Sequence, residues 1–141
     1  MKRLLLLFLL AASFSTSFAQ SFAEKEIRNV MDKTAKDWSS GNIEEFMKGY
    51  WNSDSVMYVG ANKITYGYQN ILNAYKRAFP DTASMGKLIF KLLGIRELSQ
   101  EYYLVTGQFF LTRIAGNANG VFTLLFRKLN GKWLIVYDHS S

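Results

Sequence analysis

Not one of the 141 residues is a cysteine. That excludes disulfides, thiolate metal sites and a cysteine nucleophile. One histidine, His139, is present, so a His-rich metal site is excluded as well and no metal is expected. Proline occurs once, at Pro80, and there is no Pro- or Gly-rich linker, internal repeat or low-complexity tract to divide the chain. The glycines of Gly116-Asn117-Ala118-Asn119-Gly120 are too loosely spaced for a phosphate cradle, and with no P-loop or dinucleotide fingerprint no cofactor is expected. Basic residues outnumber acidic ones, 17 to 11, but they are scattered. Without a basic run or an aromatic-interleaved basic stripe, the excess reads as a solvated surface and not as a nucleic-acid site.

Apolar residues are plentiful. They make up 49% of the chain and aromatics 16%, enough for a sizeable core in one domain of this length. The N-terminal stretch stands apart from that core. Lys2-Arg3 precedes the apolar run Leu4 to Ala12, and Ser17-Phe18-Ala19 places small residues at the −3 and −1 positions of a cleavage site. The run is too short to cross a bilayer. Residues 1–19 are therefore expected to be a secretory signal peptide, an uncleaved N-terminal anchor being the alternative, and residues 20–141 the mature domain, exported to the periplasm or secreted and free of the membrane once cut. No cysteine follows the cut, so a lipoprotein anchor is excluded.

Ser21-Phe22-Ala23-Glu24 has the form of a helix-starting capping box. Ile27, Val30, Met31, Thr34, Ala35 and Trp38 then recur at helical spacing until Gly41 stops the helix. Asn42-Ile43-Glu44-Glu45 opens a short second helix that turns Ile43, Phe46 and Met47 inward, with Tyr50 and Trp51 at its end. Ser55 to Val59 and Lys63 to Tyr66 read as a hairpin. A third helix carries Ile71, Leu72, Ala74, Tyr75, Ala78 and Phe79 up to Pro80. Four strands follow: Lys87 to Leu98 with a bulge or bend at Gly94, Tyr102 to Ile114 interrupted by Gly107, Val121 to Lys128, and Trp133 to His139. The fold class is α+β, with three N-terminal helices over the concave face of a curved antiparallel sheet, a cone with an apolar pocket.

The chain is organised around its last strand. Asn130-Gly131 is the dipeptide that most favours a two-residue hairpin turn. Strand alternation puts Trp133, Ile135, Tyr137 and His139 on one face and Leu134, Val136, Asp138 and Ser140 on the other. The same rule denies Asp138-His139-Ser140 the geometry of a catalytic triad, because adjacent residues point to opposite faces.

Trp38-x-x-Gly41-Asn42-Ile43, Tyr50, Asp54-Ser55-Val56, Gly67 and the closing Gly131-Lys132-Trp133-x-Ile135-Val136-x-x-His139-Ser140 resemble the nuclear transport factor 2-like superfamily. Within it the chain is most similar to SnoaL-like domains and to the association domain of calcium/calmodulin-dependent kinase II. The resemblance covers essentially all of the mature domain. It implies a cone-shaped fold that dimerises through the outer sheet face, and no single function. Anchored on Gly41, Gly67 and Gly131, it puts the general-base, oxyanion-tyrosine and oxyanion-aspartate positions of the related ketosteroid isomerases at Val59, Thr34 and Leu124. None carries the required group, which argues against that chemistry. It also implies a pocket lined by Leu134, Val136, Asp138, Ser140, Phe122, Leu124 and Phe126. Thr34, Trp38, Tyr50, Met57, Val59, Ala74 and Phe79 complete the wall. Trp133, Ile135, Tyr137 and His139 face outward in this scheme, as an aromatic subunit interface.

Asp138 and Tyr50 are the candidate catalytic pair. Buried in an apolar cone, Asp138 becomes an acid or base usable near neutral pH, with Tyr50 and Thr34 bonding a substrate oxygen. Solvated at the mouth, or paired with Arg113 or Arg127, it is structural. The readings that follow are a homodimeric domain binding a small apolar molecule, an acid–base isomerase, cyclase or lyase acting on a small carbonyl compound, and an assembly module with a filled pocket.

Overall fold

The structure is a computed structural model that describes residues 22–141. The expected signal peptide, Gln20 and the Ser21 cap lie outside the described residues. Helix α1 covers 22–39. Its apolar stripe is the buried one: Ile27, Met31, Thr34 and Trp38 are all inside. Helix α2 (Ile43–Met47) begins where the Asn42 side chain accepts the Glu45 N–H at 3.0 Å. That bond satisfies one of the donors that every helix start leaves free. Strands β1 (Met57–Val59) and β2 (Ile64–Tyr66) form the expected hairpin. Helix α3 (Tyr68–Ala78) buries Ile71 and Leu72. A fourth helix, α4 (Thr82–Met85), follows Pro80. It was not expected, although Asp81 and Ser84 bond reciprocally to each other's backbone in a capping box.

Four long strands complete the chain: β3 (Lys87–Ser99), β4 (Tyr102–Thr112), β5 (Ala118–Leu129) and β6 (Lys132–Ser140). β5 starts at Ala118, three residues earlier than the expected Val121. Its first residues pair with the end of β4, Ala118 opposite Leu111. The sheet has the order β2-β1-β6-β5-β4-β3. β1 joins β6 in parallel and the other pairings are antiparallel. The sheet is curved and unclosed, and its helices complete the α+β cone.

Two backbone devices set the geometry of this sheet. At the β5–β6 turn Asn130 and Gly131 both take positive φ, 49° and 77°, as a two-residue hairpin of matching twist demands. Within β6 the register slips between the pairs Phe126–Ile135 and Leu125–Tyr137, leaving Val136 as an extra, bulged residue. The slip overturns half of the expected facing. Trp133 and Ile135 lie inside, 3% and 2% exposed, and Leu134 and Val136 do not. Beyond the bulge the expected facing holds, with Asp138 buried and His139 exposed.

Helices and sheet meet through aromatic rings. Trp38 stands edge-to-face against Phe79, Phe46 and Tyr75 at 4.8, 5.0 and 5.7 Å between ring centroids. Its indole N–H donates to the Met85 carbonyl at 2.9 Å, tying α1 to α4. The Ser39 hydroxyl accepts the Leu88 N–H at 2.9 Å, which fixes the start of β3 to the end of α1. Each buried side chain of this size contributes roughly 1.5–3 kcal/mol relative to exposure.

Candidate functional site

A cavity of about 150 Å³ lies between the helices and the inner face of the sheet. α1 supplies Met31, Thr34 and Trp38, and α3 supplies Tyr75. The sheet contributes Tyr58, Phe90, Phe122, Leu124, Ile135, Asp138 and Ser140. Register explains the polar end. Tyr58 is the parallel partner of Asp138, and Leu124 is its antiparallel partner on the other side. Ser140 sits two residues on, opposite Phe122.

Asp138 is 2% exposed. Tyr50 O–H donates to its Oδ2 at 2.6 Å and Ser140 O–H to its Oδ1 at 2.7 Å. Tyr50 reaches it because the chain leaving α2 is stitched to the middle of β6. Ile135 N–H donates to Gly49 O and Trp51 N–H to Ile135 O, both at 2.9 Å. Burial pushes the Asp138 carboxyl above its ordinary value of 3.8, and the Ser140 and Tyr50 bonds oppose that rise. Burial first, and then the charge of Asp138, pushes the hydroxyls of Tyr50 and Tyr75 well up and that of Tyr58 up as well. The phenols are therefore neutral, and Asp138 is the carboxyl of the site. Its two carboxylate oxygens each hold one donor and keep a lone pair for another.

Of the residues singled out from sequence, Asp138, Tyr50, Thr34, Trp38, Phe79, Phe122, Leu124 and Ser140 line this cavity. Met57, Val59, Phe126 and Val136 do not. Tyr58 takes the place of Met57 and Val59, because β1 pairs with β6 so that its middle residue is level with Asp138. Val136 is the bulged residue, and Ile135 lines the wall in its stead. Phe126 is fully buried in the core beyond the cavity. Ala74 is not on the wall, whereas Tyr75, its neighbour in the same helical stripe, is. Thr34 lines the cavity but its hydroxyl donates to the Met31 carbonyl at 2.9 Å within its own helix, so it offers a ligand an acceptor and no donor. Arg113 and Arg127 form no ion pair with Asp138. Arg113 bonds instead to the Gly116 carbonyl, and Arg127 lies over the ring of Tyr102.

This curved sheet, closed over by helices and enclosing a carboxyl, defines a cone of the nuclear transport factor 2-like type. The chain belongs to the SnoaL-like domain family, whose model matches residues 27–141. It is similar to an NTF2-like protein of unknown function from Shewanella oneidensis MR-1, with 34% identity and a TM-score of 0.82 over 84% of this chain and 98% of that one. An NTF2-like superfamily protein from Salmonella enterica matches at 16% identity and a TM-score of 0.68, covering 86% and 92% of the two chains. A calcium/calmodulin-dependent protein kinase II association domain from Xanthomonas campestris, so described provisionally, matches at 19% and 0.65, covering 82% and 84%. The last two share the fold alone. No curated protein matches the chain. Among the described residues no cluster of His, Cys, Asp and Glu has the form of a metal site, and no helix is long and apolar enough to cross a membrane.

Proposed function

We propose that this is an exported, homodimeric domain that binds a small, largely apolar molecule in the cavity over β5 and β6. One observation carries the reading: an aromatic-walled space of about 150 Å³ ends on a buried carboxyl with unused acceptor capacity. A dry apolar cavity of roughly that volume holds a molecule the size of benzene, and a few convergent polar groups on an apolar wall are what orient a ligand. The test is a thermal-shift screen of the full chain against small apolar acids, ketones, lactones, alcohols and amines. A ligand at a hundred times its dissociation constant adds about 2.7 kcal/mol. No stabilisation by any compound would transfer the weight to an assembly role.

Support for export comes from Lys2-Arg3, the apolar run and Ser17-Phe18-Ala19, and N-terminal sequencing of the secreted protein should begin at Gln20. Support for a dimer comes from the outer sheet face, where Ile89, Phe110 and Val121 are 64%, 40% and 53% exposed.

Acid–base chemistry on a small carbonyl compound is a second reading, favoured by the burial that raises the Asp138 carboxyl above its ordinary value. Tyr50 has committed its hydroxyl hydrogen to Asp138, so Tyr58 and Tyr75 are the wall phenols left to face a substrate oxygen. On this reading Asp138→Asn abolishes turnover, and persistent turnover in that variant would exclude it.

A further inference from the structure

We propose that the cavity takes a small organic ammonium ion, an amine carried on an apolar body about the size of a benzene ring, with its nitrogen on Asp138. The proposal rests on the reading that the cavity binds a ligand and names that ligand's chemistry.

Asp138 is the carboxyl of the cavity, and no Lys, Arg or His lines the wall with it. A buried carboxylate is stable only when something compensates it, and buried charges are ordinarily paired. Two neutral hydroxyls, Tyr50 and Ser140, donate to the carboxylate, which holds it as an acceptor and supplies no positive charge. The titratable groups packed around it are Tyr50 after α2, Tyr58 on β1 and Tyr75 on α3. His139 is next on β6 but exposed, on the opposite face. The site is thus complete as an anion holder and lacks a cation. A ligand ammonium supplies it, donating to the lone pairs that Tyr50 and Ser140 leave free.

The remaining wall favours the same ligand. Trp38, Phe46, Tyr58, Tyr75 and Phe79 are all aromatic, and aromatic rings attract a cation through their quadrupole in a way they do not attract an alcohol of the same shape. An anionic ligand meets like charge at close range in a low dielectric, which disfavours it. A neutral alcohol gains burial and an uncharged hydrogen bond to Asp138, without the charge attraction an ammonium adds.

Benzylamine, benzyl alcohol and benzoate share one ring and differ in charge at neutral pH. Calorimetric titration of the full chain at pH 7 should rank them in that order, with benzylamine at least tenfold tighter than the alcohol. In Asp138→Asn the amine should lose that advantage while the alcohol keeps its affinity. Equal or tighter binding of the alcohol or benzoate would overturn the proposal and leave the ligand-binding reading standing. So would an amine preference that survives Asp138→Asn. Binding of none of the three overturns the proposal, and the broader screen above then decides the ligand-binding reading separately. Should Asp138→Asn fail to fold, the ranking of the three probes in the unaltered chain decides alone.

Discussion

Asp138 carries the tension of the molecule at the scale of a single residue. Burial disfavours its charged form, and the Ser140 and Tyr50 hydroxyls favour it. The net direction is upward, so between its ordinary value of 3.8 and its raised folded value the native state binds the proton more tightly than the unfolded chain does. Stability contributed by this group is therefore present at low pH and lost as pH rises through that window. Urea unfolding of the unaltered chain and of Asp138→Asn should show their difference shifting against the unaltered chain over that window and levelling off above it. The shift amounts to about 1.4 kcal/mol for each pH unit the window spans. A difference that stays constant from pH 3.8 upward would show that the Tyr50 and Ser140 bonds cancel the burial. Asp138 was legible in the sequence as the point where the closing apolar run turns polar, and Tyr50 was marked by the family resemblance; it lies three residues beyond the end of α2, on the bridge to Ile135. Their direct hydrogen bond was not legible. It spans 88 positions in the chain and depends on the stitch between Gly49–Trp51 and Ile135.

At the scale of elements, periodicity carried most of the information. The stripe of α1 and the inward residues of α2 are read directly from spacing, since an amphipathic helix has one face to bury. Helix α4 escaped because four residues are too few for a period, and only the Asp81–Ser84 cap signals it. Strand facing failed in one half of β6 for a different reason. Trp133 and Leu134, or Ile135 and Val136, are equally apolar, so the pattern does not tell inside from outside, and a bulge leaves no mark in such a run. Gly107 was read as an interruption, and the structure shows why it is glycine. A Cβ there would lie 2.5 Å from the Phe122 ring and 2.6 Å from the Lys91 carbonyl oxygen. Gly107→Ala should cost about 1–3 kcal/mol in denaturant unfolding. It should also weaken any ligand, because Phe122 belongs to the cavity wall. Unchanged stability would mean that β3 and β5 yield more easily than a packed sheet does.

Across the whole molecule, the inner face is closed by helices and the outer face is open. Ile89 pairs with Phe110 across β3 and β4, and Val121 lies on β5 next to them. Leu104, Leu125 and Tyr137 form a second cross-strand row of apolar pairs. The interface drawn from sequence included Trp133 and Ile135, which the structure buries within the core. The residues to alter are therefore Phe110 and Val121. Phe110→Glu combined with Val121→Glu should convert a dimer to a monomer in sedimentation while leaving ligand stabilisation intact, because neither side chain lines the cavity. A variant that sediments as the parent does would overturn the proposed pairing through this face.

The extra residue at Val136 acts as a parity switch. Counted from Trp133 in strict alternation, the cavity would receive Tyr137 and His139, and Asp138 would face solvent. One inserted position therefore decides whether this scaffold presents an acid or an imidazole to whatever occupies its interior. Relatives that share every nearby letter but differ in strand length by one residue would carry opposite chemistry behind nearly identical sequence. Transferring a site residue between members of this fold thus depends on counting from the bulge and not from the tryptophan.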